Sequence, residues 1–121
     1  MRPIFAAAPL CLALAIALGA TVAGTAAQKV VLYYFYGTGC VNCAKTQPIV
    51  EQLAYKYRTR GLTLQSYEVW YNTNNRALLL RLAQERGKSV QGVPIVIIGR
   101  DVYMGVKSIS EIERRINTYL K

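Results

Sequence analysis

The sequence contains no histidine, and this absence restricts the metal sites that the chain can build. It has three cysteines among 121 residues, and one of them, Cys11, lies in an apolar segment near the start. Structural zinc ions take four ligands, nearly always cysteine and histidine. The other two cysteines, Cys40 and Cys43, cannot complete such a shell unless a second molecule supplies the remaining ligands.

Acidic residues are also scarce, with 6 against 15 basic residues and a formal net charge of +9. The basic residues are scattered, and they form no stripe interleaved with stacking aromatics. We therefore expect no nucleic-acid partner. A solvated basic surface is the simpler interpretation, and it would also allow contact with acidic partners or an anionic membrane surface.

The first 27 residues differ in composition from the rest. An apolar run, Ile4–Val22, follows the single early charge of Arg2, and small residues precede Gln28. This layout predicts a signal peptide over residues 1–27, cleaved after Ala27, although an uncleaved membrane anchor is the alternative. Residues 28–121 would then form one domain that is periplasmic or secreted, or else held at the membrane by the anchor.

The rest of the chain is organised around the stretch from Val30 to Cys43. Val30–Tyr36 is a short apolar and aromatic run that predicts a buried strand. Two glycines then allow a sharp turn. Cys40 follows at the start of a predicted helix, where partial positive charge favours a thiolate. Cys43 lies one helical turn further on, close enough to form a disulfide with Cys40.

A cysteine pair of this kind has three interpretations. In the redox interpretation, Cys40 attacks a substrate disulfide and Cys43 resolves the mixed disulfide. Two thiolates could instead bind a soft metal such as Cu(I). A static disulfide is the third interpretation, but closing so short a loop removes little entropy from the unfolded chain. The helix position favours the redox dithiol.

Apolar periodicity, turn residues and caps predict the order β-α-β-α-β-β-α. The first two strands must be parallel because a helix connects them, and the last two form a hairpin. The aromatic residues Tyr67, Trp70 and Tyr71 are interpreted as core or sheet-face residues. After the strand Val30–Tyr36, the predicted elements are a helix over about Cys40–Arg58, a strand Leu62–Trp70, a helix Arg76–Arg86, strands Pro94–Ile98 and Val102–Met104, and a helix that starts at the capping box Ser108–Glu111 and runs to about Leu120.

Residues 29–120 resemble the thioredoxin superfamily, in a compact, glutaredoxin-sized form. The resemblance is carried by the strand before C-x-x-C, by Pro48 five residues after the second cysteine, and by Val93-Pro94 opening a later strand. It implies an α/β thioredoxin-like fold, with a four-stranded mixed sheet and helices on both faces. It also implies that Pro94 follows a cis peptide bond and faces the cysteines, and that the backbone of Val93 pairs with substrate.

The sequence departs from this family in two places. Thioredoxins carry a buried acid six residues before the first cysteine, thought to help deprotonate the resolving thiol, whereas this chain has Tyr34. Glutaredoxins follow their hairpin with a glycine pair and an acidic turn that holds glutathione. Here the corresponding segment is Met104-Gly105-Val106-Lys107, so glutathione binding is not expected.

The function expected from these observations is that of an exported thiol–disulfide oxidoreductase. Its substrates would be disulfides of client proteins, and a membrane or periplasmic redox partner would recycle the pair. No cofactor beyond the Cys40–Cys43 dithiol is expected, and the protein is expected to be a monomer. The alternatives are a Cu(I) carrier that uses the same two cysteines and a membrane-tethered electron carrier.

Overall fold

The computed structural model describes residues 29–120, so the predicted leader, its cleavage site and Cys11 lie outside the described residues. Within residues 29–120, no helix has both the length and the apolar character needed to cross a membrane. The predicted order of elements is confirmed, with bounds that mostly differ by one or two residues. The elements are β1 (Val30–Tyr36), α1 (Val41–Tyr57) with a 3-10 turn at Arg58–Arg60, β2 (Leu62–Glu68), α2 (Thr73–Glu85), β3 (Ile95–Ile98), β4 (Asp101–Met104) and α3 (Ile109–Tyr119).

The four strands form one mixed sheet in the order β2-β1-β3-β4. Strand β1 pairs in parallel with β2, and the register places Tyr36 opposite Glu68 at the carboxyl end of both strands. Strand β3 runs antiparallel to β1 and to β4. Because β1 is central, the segment that follows it emerges in the middle of one edge of the sheet, where ligands of open α/β sheets usually bind.

Helices cover both faces of this sheet, as predicted. On one face, Leu32 and Tyr34 of β1 pack in a core cluster with residues of α1 and α3. On the other face, Phe35 of β1 packs with residues of α2 such as Leu79. All four residues of β3 are buried, because its alternate side chains enter the two clusters. Burial on both faces explains why β1 and β3 are continuous apolar runs in the sequence.

Two predictions around the end of β2 were wrong. Helix α2 begins at Thr73 rather than at Arg76, because the side chain of Asn72 caps it by accepting from the backbone N–H of Asn75 at 2.9 Å. Strand β2 ends at Glu68, and the next two aromatic residues leave the sheet. Trp70 is 44% exposed and Tyr71 is 81% exposed, so neither is a core residue.

Candidate active site

A tight turn joins β1 to α1 and carries the first cysteine. The backbone N–H of Cys40 donates to the carbonyl of Gly37 at 3.1 Å, which closes a four-residue turn. Gly39 has φ of 87°, and Thr38 does not adopt a positive φ. This combination defines a type II turn, whose third residue needs the left-handed region that glycine adopts without strain. The turn therefore explains why a glycine immediately precedes the cysteine.

Cys40 is the N-cap of α1, as its position in the sequence predicted. Its sulfur accepts from the backbone N–H of Cys43 at 3.1 Å, and its carbonyl accepts the helical bond from Ala44. None of the residues in the first turn of α1 is acidic. A thiolate at Cys40 would thus be stabilised by a direct amide donor and by the positive end of the helix.

The two cysteines are joined as a disulfide, with their Cα atoms 5.2 Å apart. Their environments differ, because Cys40 is partly exposed whereas Cys43 is only 3% exposed. A disulfide of another molecule can therefore approach the sulfur of Cys40 more readily than that of Cys43. This asymmetry suits a pair in which the outer cysteine attacks and the inner one resolves.

The Val93–Pro94 segment lies beside this pair, although it is 53 residues away in the sequence. The sulfur of Cys40 is 4.0 Å from the carbonyl oxygen of Val93. The Val93–Pro94 peptide bond is cis, and Pro94 is buried. The structure therefore brings all four sequence-predicted site residues together at one edge of the sheet, while their individual roles remain predictions.

Two clefts lie in this part of the molecule, and the first of them is lined by the cysteines. One, of about 440 Å³, is lined by the turn, both cysteines, Tyr36 and Gln47. The other, of about 300 Å³, lies between α2 and the segment before Pro94, and Trp70 and Val93 line it. Among residues 29–120 no group of three or more histidine, cysteine, aspartate or glutamate side chains could hold a metal ion.

Tyr34, which stands six residues before Cys40 in place of an acid, lies beneath the cysteine pair. It is 1% exposed, and its hydroxyl donates to the carbonyl of Cys43 at 2.7 Å. Burial, assisted by the nearby Tyr36 and Glu51, raises the pKa of Tyr34 to about 12. Tyr34 therefore stays protonated at neutral pH and acts as a hydrogen-bond donor to the second cysteine rather than as a base.

Tyr34→Phe is expected to lower the free energy of unfolding by about 0.5–1.5 kcal/mol, because it removes one hydrogen bond to the buried carbonyl of Cys43, which keeps its helical partner within α1. Urea unfolding monitored by circular dichroism measures this loss. The matched control is Tyr36→Phe in the same strand, whose hydroxyl makes no hydrogen bond to another described residue. Equal losses in the two variants would show that the bond to Cys43 contributes nothing specific.

Glu68 and Trp70 are site residues that the sequence analysis missed. The carboxylate of Glu68 accepts from the backbone N–H of Thr38 at 2.8 Å and from that of Tyr71 at 2.7 Å. Partial burial acts to raise the pKa of Glu68, but the amide donors of Tyr71, Thr38 and Trp70 outweigh it and lower that pKa. The ring of Trp70 lies so close to Gly37 that a Cβ there would overlap it.

Several solved structures are similar to this chain. A thioredoxin from Halobacterium salinarum NRC-1, solved as a point mutant, matches with a TM-score of 0.60 and 25% identity, over 78% of this chain and 77% of that one. A thiol:disulfide interchange protein of the thioredoxin family from Chlorobium tepidum TLS matches with a TM-score of 0.58 and 18% identity, over 78% and 82%. Chloroplastic thioredoxin z matches with a TM-score of 0.58 and 19% identity, over 76% and 79%.

Neither a protein-family model nor a curated protein matches the sequence. The structural similarity nevertheless confirms the resemblance inferred from the motifs, and the chain has a thioredoxin-like fold. This fold and the Cys40–Cys43 pair at the carboxyl end of its central strand together support thiol–disulfide oxidoreductase activity.

Proposed function

We propose that the protein is an exported thiol–disulfide oxidoreductase that reduces or exchanges disulfides in client proteins. The observation that carries this proposal is the asymmetry of the pair, a partly exposed Cys40 at a helix N-terminus joined to a buried Cys43. Export rests on the composition of residues 1–27, which is typical of a signal peptide.

In the first step the thiolate of Cys40 attacks one sulfur of a client disulfide. A bond forms between that sulfur and Cys40, and the other client sulfur leaves as a thiolate. The backbone N–H of Cys43 lies 3.1 Å from the sulfur of Cys40 and would stabilise the attacking thiolate. The carbonyl of Val93, 4.0 Å from that sulfur, is in a position to accept a backbone N–H of the client.

In the second step Cys43, after losing its proton, attacks the sulfur of Cys40. The bond between Cys40 and the client sulfur breaks, that client sulfur leaves as a thiolate, and the Cys40–Cys43 disulfide forms. The side chain of Tyr34 does not take the proton, because it donates its own to the carbonyl of Cys43. We therefore propose that the client thiolate released in the first step accepts it, directly or through water. A reduced dithiol partner, in the periplasm or at its membrane, must then return two electrons to the pair.

The test is the equilibrium reduction potential of the Cys40–Cys43 pair, combined with an assay for reduction of insulin disulfides. Val41 and Asn42 between the cysteines supply no additional cation, so the thiolate is stabilised mainly by the helix terminus. We expect a potential between about −270 mV, typical of reducing members of this class, and about −120 mV, typical of strongly oxidising ones. Failure to reduce insulin, together with tight binding of Cu(I), would favour the metal-carrier alternative.

A further inference from the structure

Glu68 joins two loops at the edge of the sheet that carries the cysteines. It lies opposite Tyr36 in the parallel pairing of β1 and β2, so both strands end beside each other. One carboxylate oxygen accepts the amide of Thr38 in the turn before Cys40, and the other accepts the amide of Tyr71 in the loop before α2. The carboxylate of Glu68 therefore hydrogen-bonds to both the cysteine-bearing turn and the neighbouring loop, whose Trp70 ring also lies against Gly37.

The geometry of the turn leaves one backbone N–H available for such an acceptor. In a type II turn the backbone N–H of the second residue points away from the turn and has no partner within it. That residue is Thr38, and the single backbone hydrogen bond of the turn joins Cys40 to Gly37. Glu68 supplies the missing acceptor and so fixes the middle of the turn relative to the sheet.

The backbone of Glu68 and of the two residues after it is hydrogen-bonded to side chains of α2. The amide of Asn75 donates to the carbonyl of Glu68 at 3.0 Å. The guanidinium of Arg76 donates to the carbonyls of Val69 and Trp70, at 3.0 Å and 2.7 Å. The loop that follows β2 is thus anchored independently of the turn, and it can serve as a fixed support for Glu68.

We propose that Glu68 is a positioning residue for Cys40. By holding the amide of Thr38, its carboxylate keeps the turn in the conformation that places the sulfur of Cys40 against the backbone N–H of Cys43 and beside the carbonyl of Val93. The proposal rests on the proposed function, because its consequence is the reactivity of Cys40 as a nucleophile.

The sign of the effect separates positioning from simple electrostatics. The negative charge of Glu68 would raise the pKa of a nearby thiol, so loss of the charge alone should make Cys40 more reactive at low pH. Loss of positioning should do the opposite, because the thiolate would no longer be held against the helix amides. We therefore expect Glu68→Ala to slow alkylation of reduced Cys40 by iodoacetamide about tenfold or more at pH 7.

Thr38→Pro tests whether the effect passes through the amide of Thr38. Proline is favoured at the second position of a type II turn, where its ring fixes φ, and it has no N–H that needs an acceptor. Thr38→Pro alone should react at a rate close to that of the wild type. In the Thr38→Pro background, Glu68→Ala should slow the alkylation of Cys40 much less than it does in the wild type. Glu68→Gln keeps one carbonyl acceptor, so its alkylation rate should lie between those of the wild type and Glu68→Ala.

The experiment measures the pH profile of Cys40 alkylation for each reduced, full-length variant, beside its urea unfolding curve. Glu85→Gln is the charge-matched control, because Glu85 pairs with Arg81 on α2 and does not contact the turn. The proposal would be overturned if Glu68→Ala were alkylated faster than the wild type. It would also be overturned if Glu68→Ala slowed alkylation equally in the wild type and in Thr38→Pro. The alkylation profile needs no client, so failure of the proposed function would appear separately, as an active Cys40 that reduces no insulin.

Discussion

Cys43→Ala is expected to accumulate mixed disulfides between Cys40 and client proteins, whereas Cys40→Ala is expected to form none. The partly exposed Cys40 can still attack when Cys43 is absent, but the intermediate then has no neighbouring thiol to resolve it. Both variants should lose all catalytic turnover. Electrophoresis of the expressed variants without reductant detects the trapped complexes, and they should disappear when the same samples are treated with reductant.

The two variants also separate the redox enzyme from the Cu(I) carrier. A carrier needs both thiolates as ligands, so either substitution should abolish metal binding to the same extent. Serine at each position is the matched control, since it keeps the size of the side chain without its redox chemistry. Equal loss of Cu(I) binding, with no trapped client from Cys43→Ala, would rule out the oxidoreductase assignment.

Phe35→Ala is expected to lower the free energy of unfolding by about 3–5 kcal/mol. Phe35 is fully buried near the carboxyl end of β1, and its ring stacks on that of Tyr67 at 5.5 Å between centroids. The substitution leaves a cavity between the sheet and α2. The loss is large beside the total stability of about 5–15 kcal/mol that is usual for such domains, so a substantial unfolded fraction is expected. Urea unfolding of the reduced and oxidised proteins measures it.

Val31→Ala is the control for Phe35→Ala in the same strand. Val31 is only partly buried, and it belongs to neither core cluster. Val31→Ala should therefore lower the free energy of unfolding by less than about 1.5 kcal/mol. Comparable losses at the two positions would mean that the face of the sheet covered by α2 contributes less to stability than its packing indicates.

The element order was predictable because local patterns agree with tertiary burial. The apolar runs Val30–Tyr36 and Ile95–Ile98 are buried on both faces, and Ser108 caps α3 by accepting from Glu111. The loop at Trp70 and Tyr71 was not predictable in the same way. Their aromatic side chains favour strands, but β2 can pair only as far as β1 extends, and β1 ends at Tyr36. Tertiary pairing overrode local propensity there.

The site was predictable only in its local part. Cys40 and Cys43 are close in sequence, and helix periodicity alone places them together. The contact between Glu68 and Thr38 depends on the register of β1 against β2, which the sequence pattern does not specify to one residue. The hydrogen bond from Tyr34 to Cys43 depends likewise on how α1 lies across β1.

The hydrogen bond from the amide of Cys43 to the sulfur of Cys40 connects the electron affinity of the pair to the stability of the fold. An amide binds a thiolate more strongly than it binds a disulfide sulfur, so the native structure holds the dithiol form more firmly through this contact. The unfolded chain lacks the contact and has the intrinsic potential of two nearby cysteines. By thermodynamic linkage, each difference of about 30 mV between the folded and unfolded potentials equals about 1.4 kcal/mol between the unfolding free energies of the two redox forms. A substitution that stabilises one redox form of the folded domain more than the other therefore also shifts the reduction potential of the pair.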